Sequence, residues 1–317
     1  MQNYSFIQRT LHDLLLSNSF LKKSLYEMEK MIFLKNKSSK LEKEKHIFIT
    51  GLPRSGTTAL LNFLYSTNKF TSLTYRNMPF IMAPNLSNLI QKKSNITKTE
   101  RLHKDSIMFD LDSAEALDEV FFSTFNNNEI NEELINYLNL VLLKKNNKRY
   151  LSKNNLNYKR IELIQSIVPN SIFLIPLREP VQHANSLLTQ HLHFNKLQKE
   201  NNFIRRYMNY LGHNEFGLNH IPWYKPVTFT NCNDLNYWLE QWLQFYTNIY
   251  EKYEINKNCL FIKYETFQNT DLIDNLLKTL DINVKKNFKF KLSTKNITKN
   301  YDKNLYNSAK SLYGLIK

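Results

Sequence analysis

Cysteine and glycine are scarce in this chain of 317 residues, at two and five. With only Cys232 and Cys259 there can be neither a disulfide framework nor a cysteine-rich zinc site. Long apolar runs are missing as well. His46 to Leu52 and Ser171 to Leu177 have the length of buried strands, well short of the ~18 to 20 residues of a membrane span. The apolar core Leu14 to Leu16 is too short for a signal peptide and no small-residue cleavage site follows, so the expected address is cytoplasmic. No histidine or carboxylate cluster has metal-ligand spacing, and no metal is expected.

Hydrophobic residues make up 42% and charged residues 22% of the chain, the composition of a folded body in water. A net charge of +15 suits a polyanion: nucleic acid, an anionic membrane or a small multiply charged ligand. The lysines are scattered rather than gathered in one arm, and the aromatic residues fall on core stripes. Both features point away from nucleic acid and toward a solvated basic surface that encloses one anion pocket, compatible with peripheral membrane contact.

Residues 1–45 read as a helical segment packed on a main domain at 46–317. Its apolar positions Leu11, Leu14, Leu15, Phe20, Leu21, Leu25 and Met28 lie near helical spacing. His46 to Thr50 reads as a strand, Gly51 to Gly56 as a turn, and Thr57 onward as a helix. A second unit repeats this pattern. Ser171 to Leu177 is a strand, and Arg178-Glu179-Pro180 turns into a helix carrying Ser186. Leu260 to Tyr264 is a third strand. The aromatic-rich helix that starts near Asp234 is core, and Asp271 can cap a further helix. Alternating strands and helices predict an α/β fold: a P-loop, nucleotide-kinase-like central parallel sheet flanked by helices, with helical insertions.

Two of the five glycines bracket Gly51-Leu52-Pro53-Arg54-Ser55-Gly56-Thr57-Thr58. Such a loop lets backbone N–H groups converge on an anion at a helix N-terminus, and Thr57 and Thr58 add hydroxyls. A P-loop kinase or NTPase would have a lysine where Thr57 stands. Here the cation is Arg54, whose forked guanidinium suits a tetrahedral anion.

The segment resembles the 5′-phosphosulfate loop of sulfotransferases that use 3′-phosphoadenosine-5′-phosphosulfate (PAPS), in the Pro-Arg-Ser-Gly-Thr-Thr form of bacterial members and tyrosylprotein sulfotransferases. In that family a strand ends in Arg-Asp-Pro and a serine follows on the next helix, the pair holding the 3′-phosphate. Arg178-Glu179-Pro180 and Ser186 match this, with Glu for Asp. The likeness runs through Ser72 to Phe80, Asp112 to Leu117, Tyr150 to Asn155 and Ile262 to Glu265.

The resemblance implies that Pro53, Arg54, Ser55, Gly56, Thr57, Thr58, Arg178 and Ser186 bind PAPS, and that Arg54 and Lys153 stabilise charge during transfer. The acceptor is expected to be a hydroxyl or amine on a carbohydrate or lipid-linked molecule. The glutamate base of tyrosylprotein sulfotransferases is absent from Tyr75-Arg76-Asn77-Met78-Pro79. Glu115 is the first candidate base, with His103 and Asp105 behind it. Asp112 and Ser113 would cap a helix begun by Glu115. A P-loop phosphotransferase and a non-catalytic nucleotide-binding protein are the alternatives. The basic stretch Lys285 to Lys310 either closes over the nucleotide or is solvated.

Overall fold

The computed structural model describes residues 4–34, 41, 44–90, 98–101, 107–145, 149–283, 288, 290, 294 and 296–316. The chain divides into two compact units. One holds Met1–Ile49, Thr58–Ile172 and Arg206–His213; the other holds Thr50–Thr57, Phe173–Arg205 and Asn214–Lys317.

The first unit opens with helices α1 (Phe6–Ser17) and α2 (Ser19–Phe33) and strand β1 (Ile47–Ile49). After helix α3 (Thr57–Ser66) come β2 (Phe70–Thr71), α4 (Pro84–Ile90), the two-stranded antiparallel β3 (Thr99–Glu100) and β4 (Met108–Phe109), α5 (Glu119–Thr124), α6 (Asn127–Leu143), β5 (Arg149–Lys153) and α7 (Ile161–Ile167). Strand β5 pairs in parallel with β1 and β2, and its register sets Lys153 opposite Ile49, the last residue of β1.

In the N-terminal segment only part of the expected apolar stripe faces inward: Leu15 is buried and Leu11, Leu21 and Leu25 are half-buried, whereas Leu14, Phe20 and Met28 are exposed. The inward face of α2 is partly polar. Its buried Glu29 accepts from the backbone N–H groups of Asn85 (2.6 Å) and Leu86 (3.1 Å) at the start of α4. A carboxylate there satisfies donors that the helix leaves without intrahelical partners.

The second unit contributes β6 (Ile172–Leu177), α8 (Pro180–Glu200), the first residues of α9 (Asn202–Tyr210), whose remainder is counted with the first unit, α10 (Leu235–Tyr253), β7 (Cys259–Lys263), α11 (Thr270–Thr279) and α12 (Lys303–Leu315). Every residue of β6 is buried, as a central parallel strand requires, and β6 pairs with β7 so that Leu177 lies opposite Lys263. Helix α10 starts at the expected cap, where Asp234 accepts from Asn236 N. Trp238, Trp242, Phe245 and Tyr246 on α10 are fully buried. Removing either indole would cost about 3 to 5 kcal/mol. Helix α11 is capped by Asn269, which accepts from both Asp271 N and Leu272 N; Asp271 lies inside the first turn.

In the first unit the parallel strand order is β2-β5-β1, and in the second β6 runs parallel to β7. These parallel strands with their flanking helices bear out the α/β fold and its parallel sheet. Among the described residues no helix is long and apolar enough to cross a membrane.

Candidate active site

The loop that follows β1 belongs to the second unit. Thr50 N donates to Leu174 O at 3.0 Å, fixing where the loop leaves the sheet. Gly51, Arg54 and Gly56 take positive φ values of 127°, 70° and 103°. Positive φ at Gly56 is easily adopted by glycine alone, and a Cβ there would fall 2.2 Å from the ring of Tyr264. The scarce glycine is therefore required twice over, by backbone conformation and by a neighbouring side chain. The Ser55 hydroxyl donates to Leu52 O at 2.7 Å within the loop, so Ser55 can offer an anion its backbone N–H and not its side chain.

Arg178 follows the last residue of β6 and Ser186 lies on α8. Across 132 residues of sequence, Arg54 Nε donates to Ser186 Oγ at 3.2 Å. The two motifs separated in the sequence are thus joined by a hydrogen bond. A serine that accepts from Arg54 keeps its own hydroxyl proton to give to a phosphate oxygen.

Glu179 explains the departure from Arg-Asp-Pro. Its carboxylate caps α8 by accepting from Gln182 N at 2.8 Å, ahead of Pro180 in the first helical position. A carboxylate is needed there, and glutamate can provide it. The Glu179 N–H in turn donates to Glu265 at 3.0 Å, and Glu265 also accepts from the Tyr313 hydroxyl at 2.6 Å. Helix α12, starting near the end of the basic stretch, thereby braces the Arg178 turn. Most of residues 285–302 lies outside the described residues or carries no regular element.

Sequence reasoning had no separate role for His183, Glu265 or Tyr264. The imidazole of His183, fully buried on α8, lies with Nε2 2.8 Å from Pro53 O. Its three-residue spacing from Ser186 was the available signal, since it puts both side chains on one face of a helix.

Lys153 and Glu115 belong to the first unit. Lys153 is buried at the end of β5. Asn154 N donates to Ile49 O at 3.0 Å, one residue before the loop begins. Beneath this strand end, buried Asp118 accepts hydroxyl protons from Tyr137 (2.7 Å), Tyr150 (2.6 Å) and Ser152. Burial pushes the Asp118 carboxyl up, against the pull of these three bonds.

Glu115 departs from its expected setting. It does not open a helix, because residues 111–118 run as an irregular segment bridged to Thr74 through Ala114, and the next helix starts at Glu119. Asp112 makes a paired contact with Arg76 at 2.8 and 2.9 Å, and Ser113 bonds Asp110, so neither is a cap. The Glu115 carboxylate accepts from Arg101 at 2.7 Å, from Ala116 N at 2.8 Å and from the Tyr75 hydroxyl. Burial alone would raise its pKa, but the charges of Arg101 and Lys153 outweigh burial and hold it far below the usual carboxylate range. A carboxylate so stabilised in its charged form has little proton affinity. His103 and Asp105 lie outside the described residues. Among the described residues no group of three or more His, Cys, Asp or Glu is placed to hold a metal.

Comparison with known proteins gives an independent result. The family model described as "Sulfotransferase family" matches residues 46–221, more than half of the chain. No curated protein sequence matches. Sulfotransferase STF1 of Mycobacterium tuberculosis superposes with a TM-score of 0.50 at 9% identity, covering 89% of this chain and 79% of that one. STF9 of Mycobacterium avium gives 0.49 at 11% identity, with 98% and 78% covered. At such identities the likeness to STF1 speaks for the fold alone.

Proposed function

The chain belongs to the sulfotransferase family, and from that premise we propose that residues 46–317 transfer a sulfuryl group from PAPS to a hydroxyl on a carbohydrate or lipid-linked acceptor. The contact that carries this reading is the hydrogen bond between Arg54 and Ser186, the residues we assign to the 5′ and 3′ ends of the donor. ATP has no 3′-phosphate to engage Ser186 and Arg178, and Thr57 stands where an ATP-binding loop has lysine.

PAPS, when bound, supplies the sulfuryl group and a nucleotide 5′-phosphate as leaving group. The backbone N–H groups of Arg54, Ser55 and Gly56, with the hydroxyls of Thr57 and Thr58, suit that end of the donor. Arg178 and Ser186 suit the 3′-phosphate. Sulfuryl transfer resembles phosphoryl transfer in that charge builds on the departing oxygen. The guanidinium of Arg54 and the ammonium of Lys153 are the groups we assign to offset it. No metal is required in this scheme.

Glu115 we assign to holding Arg101 and Tyr75 rather than to taking the acceptor proton, because its oxygens are committed and its pKa is held down. The base then falls to His103 or Asp105. The free thiols Cys232 and Cys259 suit a reducing, cytoplasmic setting.

Release of 3′-phosphoadenosine-5′-phosphate from radiolabelled PAPS, measured with glycolipid, oligosaccharide and tyrosine-peptide acceptors, tests the assignment. Acceptor-dependent release that Lys153→Ala lowers at least a hundredfold supports it. Release that prefers the peptide overturns the acceptor class. Release unchanged in Lys153→Ala overturns the role of that lysine.

A further inference from the structure

Helix α8 grips the phosphate loop at two consecutive residues. Ser186 holds the Arg54 side chain at 3.2 Å, and one turn earlier His183 meets the carbonyl of Pro53 at 2.8 Å. A carbonyl only accepts, so Nε2 of His183 carries the proton and the ring is the Nε2–H tautomer. Nδ1 is buried and, among the described residues, has no hydrogen-bond partner. His183 is fully buried, and both its burial and the nearby guanidiniums of Arg178 and Arg54 oppose a charge on the ring.

The consequence for the loop follows from peptide geometry. A trans peptide is planar, with its C=O and N–H pointing in opposite directions. Pinning the Pro53 carbonyl toward α8 therefore turns the Arg54 N–H away from α8. Proline fixes its own φ, and Arg54 then enters the left-handed region at φ 70°, which a side chain seldom adopts unless its surroundings impose it. Successive N–H groups in such a conformation form the concave donor set that takes an anion.

We propose that His183 is a positioning residue for the 5′-phosphate of the donor: its neutral imidazole sets the Pro53–Arg54 peptide so that the Arg54 amide faces the anion. The assignment rests on the donor-binding reading above. It is separate from the roles assigned to Arg178 and Ser186 and extends that reading to a residue that acts through the loop backbone.

Calorimetry separates this role from general support of the fold. The probes are 3′-phosphoadenosine-5′-phosphate and adenosine 3′-phosphate, which differ only in the 5′-phosphate, titrated into the full chain and into His183→Phe and His183→Gln. The gain in affinity from the 5′-phosphate should fall at least tenfold in His183→Phe. Glutamine places an amide donor where Nε2 stood and should restore most of the gain. Adenosine 3′-phosphate should bind all three proteins within about threefold. An undiminished gain in His183→Phe, or an equal loss for both ligands, overturns the proposal. Should the phenylalanine variant fail to fold, nitrogen NMR of the wild-type imidazole decides: a ring protonated on Nδ1, or charged at neutral pH, contradicts the assignment. A wild-type chain that binds the bisphosphate no better than ADP would overturn the donor reading itself and this role with it.

Discussion

Arg54 and Ser186, 132 residues apart in sequence, meet at 3.2 Å between Nε and Oγ. One residue belongs to the turn after β1 and the other to the helix after β6. Each is ambiguous alone: an arginine in a turn can be an ion pair, and a serine on a helix can be solvated. On the donor-binding reading proposed above, the contact joins the residue assigned to the 5′ end of the nucleotide to one assigned to its 3′-phosphate.

The first expectation is energetic coupling across that contact. Ser186→Ala and Arg54→Lys should each weaken binding of 3′-phosphoadenosine-5′-phosphate by about tenfold or more, since hydrogen bonds to charged groups contribute about 1.5 to 3 kcal/mol. The double variant should lose less than the sum of the two losses, by at least ~0.5 kcal/mol. Strict additivity in a calorimetric cycle would mean that the two residues act independently.

Gly56→Ala should damage both binding and stability. Its Cβ would meet the Tyr264 ring at 2.2 Å, at a backbone φ of 103°. Denaturant titration should show a loss of about 1 to 3 kcal/mol, the range for overpacking and backbone strain. Adding Tyr264→Ala should recover the steric part and leave the conformational part. Full stability in Gly56→Ala would contradict the described loop.

Acid should weaken the fold through two neutral histidines. Burial lowers His46 to about 4 and His183 to about 3. His46 is also fixed as a neutral ring, accepting from Tyr150 N at 2.9 Å while donating to Leu41 O at 3.1 Å. Unfolded imidazoles protonate near 6.5, so between about pH 6.5 and 4 the unfolded chain takes up protons that the folded chain refuses. Their contribution to stability is complete above pH 6.5 and falls with pH through that window. These two groups give a slope approaching two protons, and His46→Gln should remove about one of them. An unchanged slope in that variant, measured by denaturation at stepped pH, would contradict the buried neutral ring.

Glu115→Gln distinguishes an anchor from a base. Arg101, buried and 2.7 Å from Glu115, would be left without its carboxylate, at a cost of about 3 to 5 kcal/mol. Replacing Arg101 by Met at the same time should recover much of that stability. For an anchor, the pH profile of turnover keeps its shape in the folded fraction. Loss of the acid limb with stability intact would return Glu115 to the role of base.

Much of the architecture was legible because it rests on periodicity and scarcity. β1, β6, β7 and α10 lie within a residue or two of where the apolar patterns put them, and two of only five glycines marked the loop. Strand β5 was less visible, since Arg149-Tyr150-Leu151-Ser152-Lys153 lacks a continuous apolar run. Its buried hydroxyls are satisfied by Asp118, a partner distant in sequence. The polar inner face of α2 was hidden for the same reason: Glu29 is stabilised by the N-terminus of α4, which no local pattern reveals. Glu115 was found by residue type, but its environment comes from Arg101, Tyr75 and Lys153, three segments that only folding gathers.

The most direct test is calorimetric titration of the full chain with 3′-phosphoadenosine-5′-phosphate, ADP and magnesium-ATP, repeated on Arg178→Ala. The account predicts micromolar binding of the bisphosphate, at least tenfold tighter than ADP, which is about 1.4 kcal/mol, with that preference lost in the variant. Tighter binding of magnesium-ATP, or equal binding of bisphosphate and ADP, would contradict it.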